Sequence, residues 1–299
     1  MRVERVSESV YLVDAMLLGR PRALSTYIIM GEGEAMIIDP GPPSSSETIL
    51  KALRELEVES AIIAPTHIHI DHAGGSWRLL MELEDSKLYV HPRGAPHMID
   101  PSRLIEASKR LLGEKLVELY GEVRGIEAER VSESRDGEEL KLGGLRVKTI
   151  WTPGHASHHQ CYYVVDEGVL ILGDAGGTYH PEAEAITPNS PPPFNPLKAM
   201  ESLRRLMELD AKTLCYGHYG YTRHPELLEA YLRQIELWMR IIEVGLREGL
   251  KTEELKERLR REDPMAERAW REGAAQRELM NILGFIEYFR WIWGRADKF

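Results

Sequence analysis

Histidine is the residue type whose placement in this chain of 299 residues points most directly to chemistry. Three of the 11 histidines share segment 66–72 (THIHIDH) with an aspartate, directly after an apolar run. Residues i and i+2 of an extended segment point to one side, so His67 and His69 can bind one cation, while Asp71 and His72 face a neighbouring one. A single histidine is usually structural, whereas four ligand-type residues within six positions are typical of a metal site.

Three later motifs each place one ligand-type residue just past a predicted strand. The motif TPGH ends in His155, GDAG contains Asp174, and GHYG contains His218. Because each follows a strand, we expect these side chains to converge with segment 66–72 at one edge of a sheet sandwich. Seven ligands are too many for one tetrahedral zinc ion but suit two metals that share a carboxylate and a bridging water.

The elements that must position these residues follow from the spacing of apolar residues. Alternating or short apolar runs predict strands at 10–13, 25–29, 35–38, 61–64, 87–90, 145–151, 160–165 and 169–173. Spacings of three and four predict helices at 45–56, near 74–84 and at 102–120. Strands and helices alternate, which indicates an α/β or α+β domain with helices outside the sheets.

The pattern changes near residue 221, after which spacings of three and four predict helices only. We therefore expect a catalytic domain over 1–220 and a helical extension over 221–299. The extension carries four of the six tryptophans and three of the four phenylalanines, more than a solvated tail would carry. We expect it to pack on the main domain with some aromatic residues bordering the active site; a lid or a homodimer surface is the alternative.

Composition narrows the classes of partner. Lys plus Arg total 38 against 48 Asp plus Glu, and the formal net charge of -10 disfavours nucleic acid. A small-molecule substrate is expected instead. No apolar stretch reaches membrane-spanning length and the start is charged, so neither a membrane span nor a signal peptide is predicted. Two cysteines in apolar runs indicate buried thiols and a cytoplasmic location. Three Gln and three Asn beside 37 Glu are typical of a thermophile.

The order of the motifs, HxHxDH, TPGH, GDAG and GHYG, resembles the metallo-β-lactamase superfamily over about residues 10–220. The nearest likeness is to its dinuclear hydrolases of the glyoxalase II, lactonase and phosphotriesterase-like kind. The resemblance implies an α+β fold, the αββα sandwich, here followed by a C-terminal helical extension. It also implies that His67, His69 and His155 bind one metal, that Asp71, His72 and His218 bind the other, and that Asp174 bridges both.

One residue outside the ligand motifs belongs to the same resemblance. Asp39, in the sequence IDPG, matches the superfamily's first motif, a buried aspartate that orients ligand imidazoles through their other nitrogen. An ordinary turn aspartate at a strand end is the alternative.

Departures within the motifs separate the branches of the superfamily. An acid at position 69 would resemble the oxygen-reducing di-iron branch, but this chain has His69 there. Asp174 stands where true β-lactamases carry other residues. The gap of 19 residues between His155 and Asp174 (174 − 155) disfavours the nuclease branches, whose recognition domains need room. A redox metalloprotein and a nuclease are therefore less favoured than a hydrolase.

The expected chemistry is attack by a hydroxide held between two divalent ions, zinc first and iron or manganese as alternatives. Asp71 would accept the proton of the attacking water, and Asp174 would hold both ions. Tyr179 would donate its hydroxyl to the developing oxyanion, with a loop aromatic that lines the pocket as the alternative. The favoured substrate is an ester, lactone or thioester, with promiscuity expected. Phosphotriesters, phosphodiesters and β-lactams are alternatives, and the motif loops show no Arg/Lys cluster for the carboxylates of glutathione.

Other histidines and one tyrosine receive weaker assignments. His158 and His159 are candidates for orienting the ligands or contacting substrate, although only one of two neighbours in an extended segment can point inward. Tyr219 is expected to pack. Surface or turn positions are expected for the remaining histidines, namely His91, His97, His180 and His224.

Overall fold

The computed structural model describes residues 3–271 and 278–296. This part of the chain divides into two compact units. Of the described residues, the first comprises 3–151, 158–173 and 211–223, and the second comprises 152–157, 174–210, 224–271 and 278–296. The predicted ligands are distributed over both units, with His155 and Asp174 in the second.

A mixed sheet forms one layer of the first unit, with its strands hydrogen-bonded in sequence order. The strands are β1 (Val3–Arg5), β2 (Val10–Asp14), β3 (Ser25–Met30), β4 (Ala35–Ile38), β5 (Ile62–Ile63), β6 (Lys87–Val90) and β7 (Val131–Glu133). The pairs from β1 to β4 are antiparallel, and those from β4 to β7 are parallel. Side chains alternate between the two faces of the sheet, and strands β2 to β6 are apolar on both faces.

A second sheet, in the order β15-β14-β11-β10-β9-β8, forms the next layer. Its strands are β8 (Glu139–Leu142), β9 (Leu145–Trp151), β10 (Gln160–Val164), β11 (Val169–Gly173), β14 (Thr213–Tyr216) and β15 (Tyr221–Thr222). One apolar cluster joins residues of both sheets, including Tyr27 and Met36 of the first and Tyr162 and Ile171 of the second. One core of this unit therefore lies between the sheets.

Helices cover the other face of the first sheet. They are α1 (Ser46–Glu55), α2 (Ile70–Ala73), α3 (Ser76–Glu82), α4 (Ala95–Ile99), α5 (Ser102–Leu112) and α6 (Glu114–Tyr120). A second apolar cluster joins Ile37 and Leu88 of the sheet to Leu53 of α1 and Leu79 of α3. The helix predicted over 102–120 is broken at Gly113, whose φ of 86° is not helical.

The second unit consists of a hairpin and a set of helices. They are β12 (Thr178–His180), β13 (Ala185–Thr187), α7 (Pro196–Met207), α8 (Leu227–Arg247), α9 (Thr252–Glu262), α10 (Pro264–Arg271) and α11 (Glu278–Ala296). Buried Asp263 accepts hydrogen bonds from Gln234 and Trp238 of α8 at 2.8 and 2.7 Å, and from the backbone of Ala266 at 3.0 Å. This carboxylate therefore joins α8 to the start of α10.

The helical extension contacts residues that the sequence assigned to the preceding domain. The backbone N–H of Ser190 donates to the side chain of Asn281 in α11 at 3.0 Å, and the rings of Phe194 and Phe285 lie 5.0 Å apart. The boundary at residue 221 stays a prediction, since the compact units interleave along the chain.

The α+β fold class and the helices after residue 221 are confirmed. Helix α7 was not predicted, although Asn195 caps it by accepting from the Lys198 N–H at 3.0 Å and Pro196 opens its first turn. Within residues 3–271 and 278–296, none of the helices has the length and apolar character needed to span a membrane.

Candidate metal centre

Segment 66–72 is held by backbone hydrogen bonds to the loop that follows β4. The N–H of Gly41 donates to the carbonyl of His72 at 2.9 Å, and the N–H of Gly75 donates to the carbonyl of Gly41 at 2.8 Å. A Cβ at Gly75 would lie 2.9 Å from that same carbonyl oxygen, so only glycine permits this approach. The ligand-rich segment is therefore fixed against the loop that carries Asp39.

Asp39 is buried and orients two of the predicted ligands. Its Oδ2 accepts from His72 Nδ1 at 3.0 Å, and its Oδ1 accepts from the Thr66 N–H at 2.7 Å. The Thr66 hydroxyl lies 3.0 Å from both carboxylate oxygens and 3.0 Å from His67 Nδ1. Since this hydroxyl has one proton and donates it to Asp39, His67 must donate from Nδ1. Both rings therefore keep Nε2 as the ligand atom.

His67 and His69 form the pair that the sequence predicts. His67 Nε2 lies 2.9 Å from His69 Nδ1, and the two rings meet edge to face. His67 is fully buried and His69 is half-buried. Two nitrogen ligand atoms at this separation match neighbouring corners of one coordination sphere.

Asp71, His72 and His218 form a second group in the same unit, with their ligand atoms within 4.8 Å of one another. His72 Nε2 lies 3.3 Å from His218 Nε2, and Asp71 Oδ2 lies 4.0 and 3.8 Å from these two nitrogens. His218 donates from Nδ1 to the carbonyl of Ala23 at 3.3 Å, so its Nε2 carries the lone pair. A carboxylate and two imidazole nitrogens at these distances are a donor set for a divalent cation.

His155 and Asp174 meet within the second unit. His155 donates from Nδ1 to the carbonyl of Asn189 at 2.8 Å, and its Nε2 lies 3.3 Å from Asp174 Oδ2. Tyr231 of α8 has a hydrogen bond with the Asn189 backbone. Burial holds the pKa of Tyr231 well above its ordinary value, the bond to Asn189 opposes this, and the charge of Asp174 raises the pKa further. Sequence reasoning missed Asn189 and treated Tyr231 only as an apolar position of a helix.

Thr66 leaves no room for a side chain at Gly173, the residue just before Asp174. Its φ is +52°, and a Cβ there would lie 2.4 Å from Thr66 Oγ1. The N–H of Gly217 donates to the Gly173 carbonyl at 3.0 Å. Gly173, at the end of β11, thus contacts both the Thr66 hydroxyl and the turn that carries His218.

His158 and His159 both lie against His67. The ring centroids are 6.3 and 5.0 Å from that of His67, and both rings stack on it. The expectation of one inward-pointing ring depended on an extended segment, whereas residues 157 and 158 form a turn. Tyr219 packs in the core between the sheets, as expected.

A surface or turn position was expected for His91. The residue begins a turn, where its carbonyl accepts from the Gly94 N–H at 2.7 Å, but it is buried and does not lie at the surface. Its ring lies 4.2 Å from that of Trp151. Burial lowers the pKa of His91 to about 4, with Arg93 lowering it further and Asp136 opposing. Among the other histidines with no assigned role, His97 and His180 are half-buried and His224 is exposed.

Tyr179 lies on β12, half-buried and paired with Ile186 of β13. Its role as an oxyanion donor stays a prediction.

Comparison with known proteins places these motifs in a family. A family model described as the metallo-beta-lactamase superfamily matches residues 19–218. The metallo-beta-lactamase fold-containing protein ST1585 of Sulfurisphaera tokodaii is 31% identical over 218 residues, which cover 72% of this chain and 79% of that protein. A hydroxyacylglutathione hydrolase of Aeromonas hydrophila is 26% identical over 199 residues, which cover 66% of this chain and 61% of that enzyme.

Solved structures show the same fold. The crystal structure of ST1585, an archaeal metallo-beta-lactamase superfamily protein from Sulfolobus tokodaii, matches with a TM-score of 0.66 at 29% identity, covering 76% of this chain and 86% of that one. A metallo-beta-lactamase family protein from Thermus thermophilus, TTHA1429, matches with a TM-score of 0.68 at 23% identity, covering 96% and 94%. The latter likeness shows the fold alone.

Proposed function

Because the chain belongs to the metallo-β-lactamase superfamily of metal-dependent hydrolases, we propose that it hydrolyses a carboxylic ester, lactone or thioester of a small molecule at two divalent metal ions. One observation carries the proposal. Four imidazoles each donate a hydrogen bond from Nδ1 to a protein acceptor, so each presents Nε2 as a ligand atom. They are the rings of His67, His72, His155 and His218. Histidines with a purely structural role would not all need to present Nε2 in this way.

The proposed ligand sets are those that the family resemblance implies. One metal is assigned to His67, His69 and His155, the other to Asp71, His72 and His218, with Asp174 shared. The short distances within each compact unit support this assignment. Imidazole and carboxylate ligands suit zinc first, and iron or manganese can replace it.

When bound, two such ions supply Lewis acidity and lower the pKa of water so that hydroxide is available near neutral pH. The residues of the chain fix the protons of the ligands and transfer the proton of the attacking water. Asp39 and Thr66 keep the protons of His72 and His67 on Nδ1, away from the ligand atoms. Asp71, whose side chain is 13% exposed, takes the proton of the attacking water and passes it to solvent. Tyr179 donates its hydroxyl to the oxyanion of the substrate.

The partner and location follow from charge and composition. A net charge of -10 supports a small-molecule substrate over nucleic acid. The two cysteines support a reducing, cytoplasmic compartment, since no disulfide framework can be built from them. A homodimer through the aromatic-rich extension is tested by sedimentation velocity.

The proposal is tested with chelator-stripped protein reloaded with zinc, and with initial rates on a lactone, an aryl ester, a glutathione thioester, a phosphotriester and a β-lactam. We expect hydrolysis of at least one carbonyl ester or thioester, and a loss of about 100-fold or more in Asp174→Ala. Asp166→Ala, at an exposed ion pair with Arg146, is the matched control and should keep full activity. A phosphotriester as the best substrate would favour the phosphoryl alternative, and no turnover of any carbonyl substrate would refute the proposal.

A further inference from the structure

The loop between β2 and β3 carries two arginines, Arg20 and Arg22, that are exposed. Its ends are joined by a hydrogen bond from the Ala15 N–H to the Leu24 carbonyl at 3.1 Å. Buried Asp14 accepts from the backbone of Arg22 at 2.9 Å, and Arg22 adopts a φ of 59°. A buried carboxylate thus holds the backbone of Arg22 in place.

The same loop is bonded to the turn that carries His218. The Ala23 carbonyl accepts from His218 Nδ1 at 3.3 Å, and the N–H of Ser25 donates to the Gly217 carbonyl at 2.8 Å. The N–H of Gly220 donates to Ser25 Oγ at 3.1 Å. Arg22 is therefore one residue from the carbonyl that orients a proposed metal ligand, although it lies far from that ligand in sequence.

The side chain of Arg22 turns toward this same turn. Its guanidinium carbon lies 5.6 Å from the ring centroid of Tyr219, the residue after His218. Tyr219 is buried, so the position of its ring is fixed by packing. A guanidinium that rests on an aromatic face keeps its N–H groups in the plane that a carboxylate approaches, and this geometry favours bidentate binding.

We propose that Arg22, with Arg20 beside it, forms a carboxylate-binding subsite next to His218, so that the substrate is an ester, lactone or thioester that carries a carboxylate. This inference rests on the proposed function. The chain as a whole is acidic, with a net charge of -10, and repels anions at long range. Two arginines on one short loop place two positive charges beside the proposed centre. The sequence showed no such cluster because the loop lies outside the ligand motifs.

The test compares two esters with the same leaving group, the anionic mono-4-nitrophenyl glutarate and the neutral 4-nitrophenyl butyrate. In zinc-loaded Arg20→Gln/Arg22→Gln, we expect kcat/KM for the glutarate ester to fall by about 10- to 100-fold, because charge-assisted hydrogen bonds are lost. For the butyrate ester we expect a change below about 2-fold. Arg22→Lys should lie between, since it keeps the charge and loses the planar fork.

Arg124→Gln is the matched control, because Arg124 also lies over an aromatic ring, that of Trp77 at 4.6 Å, and is exposed. It should leave both esters unchanged. Added salt should slow the glutarate ester alone in the wild type, since screening weakens an exposed charge pair.

Calorimetric binding of glutarate to the zinc-loaded proteins gives a second readout. We expect binding to the wild type and at least about 10-fold weaker binding to the double variant. Equal losses for both esters, or no loss for either together with unchanged glutarate binding, would overturn the subsite. A wild type that hydrolyses neither these esters nor any carbonyl substrate of the wider panel would refute the proposed function, and the glutarate titration would then decide the subsite on its own.

Discussion

Replacing Asp39 by asparagine tests how the chain prepares its ligand atoms. The carboxylate accepts from His72 Nδ1 and from the Thr66 N–H, whereas the amide of asparagine has one acceptor oxygen and one donor nitrogen. If the oxygen stays on Thr66, the amide N–H₂ faces His72 Nδ1. That nitrogen must then accept, and the proton of His72 moves to Nε2, the atom that lies 3.3 Å from His218 Nε2. The variant therefore keeps every predicted ligand but protonates one ligand atom.

The magnitude follows from the role of such partners in metal sites. Loss of an orienting partner weakens metal binding by about 10- to 100-fold, or roughly 1.4–2.7 kcal/mol. We expect this loss at the site that contains His72 when Asp39→Asn is titrated with zinc against a chromophoric chelator. The other site should change less, since His67 is reached only through Thr66.

Asp166→Asn is the control for Asp39→Asn, because Asp166 pairs with Arg146 at the surface and should leave both zinc affinities unchanged. Circular dichroism must show that each variant is folded. A folded Asp39→Asn protein with two zinc affinities equal to those of the wild type would refute the reasoning.

Two further perturbations test the packing around the site and a buried histidine. Gly173→Ala should lower the free energy of unfolding by about 2–5 kcal/mol, because its Cβ would lie 2.4 Å from Thr66 Oγ1 at a φ of +52°; Gly33→Ala, with a similar φ and nothing within 4 Å, should cost only about 1 kcal/mol in the same thermal denaturation. Burial lowers the pKa of His91 to about 4, so the unfolded chain binds the extra proton first and stability present above pH 6.5 is lost as pH falls toward 4. Urea titrations across that range should show the loss, and His91→Gln should reduce it; an unchanged pH dependence would contradict the assignment.

The predicted ligands were accessible from sequence because each has a distinctive side chain at a strand end. His67 and His69 meet as the i, i+2 rule requires, and His155 reaches Asp174 across 19 residues of chain (174 − 155). Asp39 was accessible only through its resemblance to a family motif. The residue alone did not separate an orienting aspartate from a turn.

Other parts of the site left no readable pattern. Asn189 holds His155 through its backbone carbonyl, an atom that every residue has. Tyr231 satisfies the apolar spacing of α8, so its contact with Asn189 was hidden among core positions. Arg22 depends on a contact with Tyr219 that only the tertiary structure forms. His91 lies beside a turn. Trp151, which is distant in sequence, packs against its ring and buries it.

The most direct test of the central claim is a crystal structure of the zinc-loaded protein with anomalous data collected at the zinc edge. The account predicts two zinc peaks about 3.5–4 Å apart. One should be bound by His67, His69 and His155 and the other by Asp71, His72 and His218, with Asp174 touching both. One peak, or zinc bound away from these residues in a fully loaded crystal, would contradict the dinuclear centre.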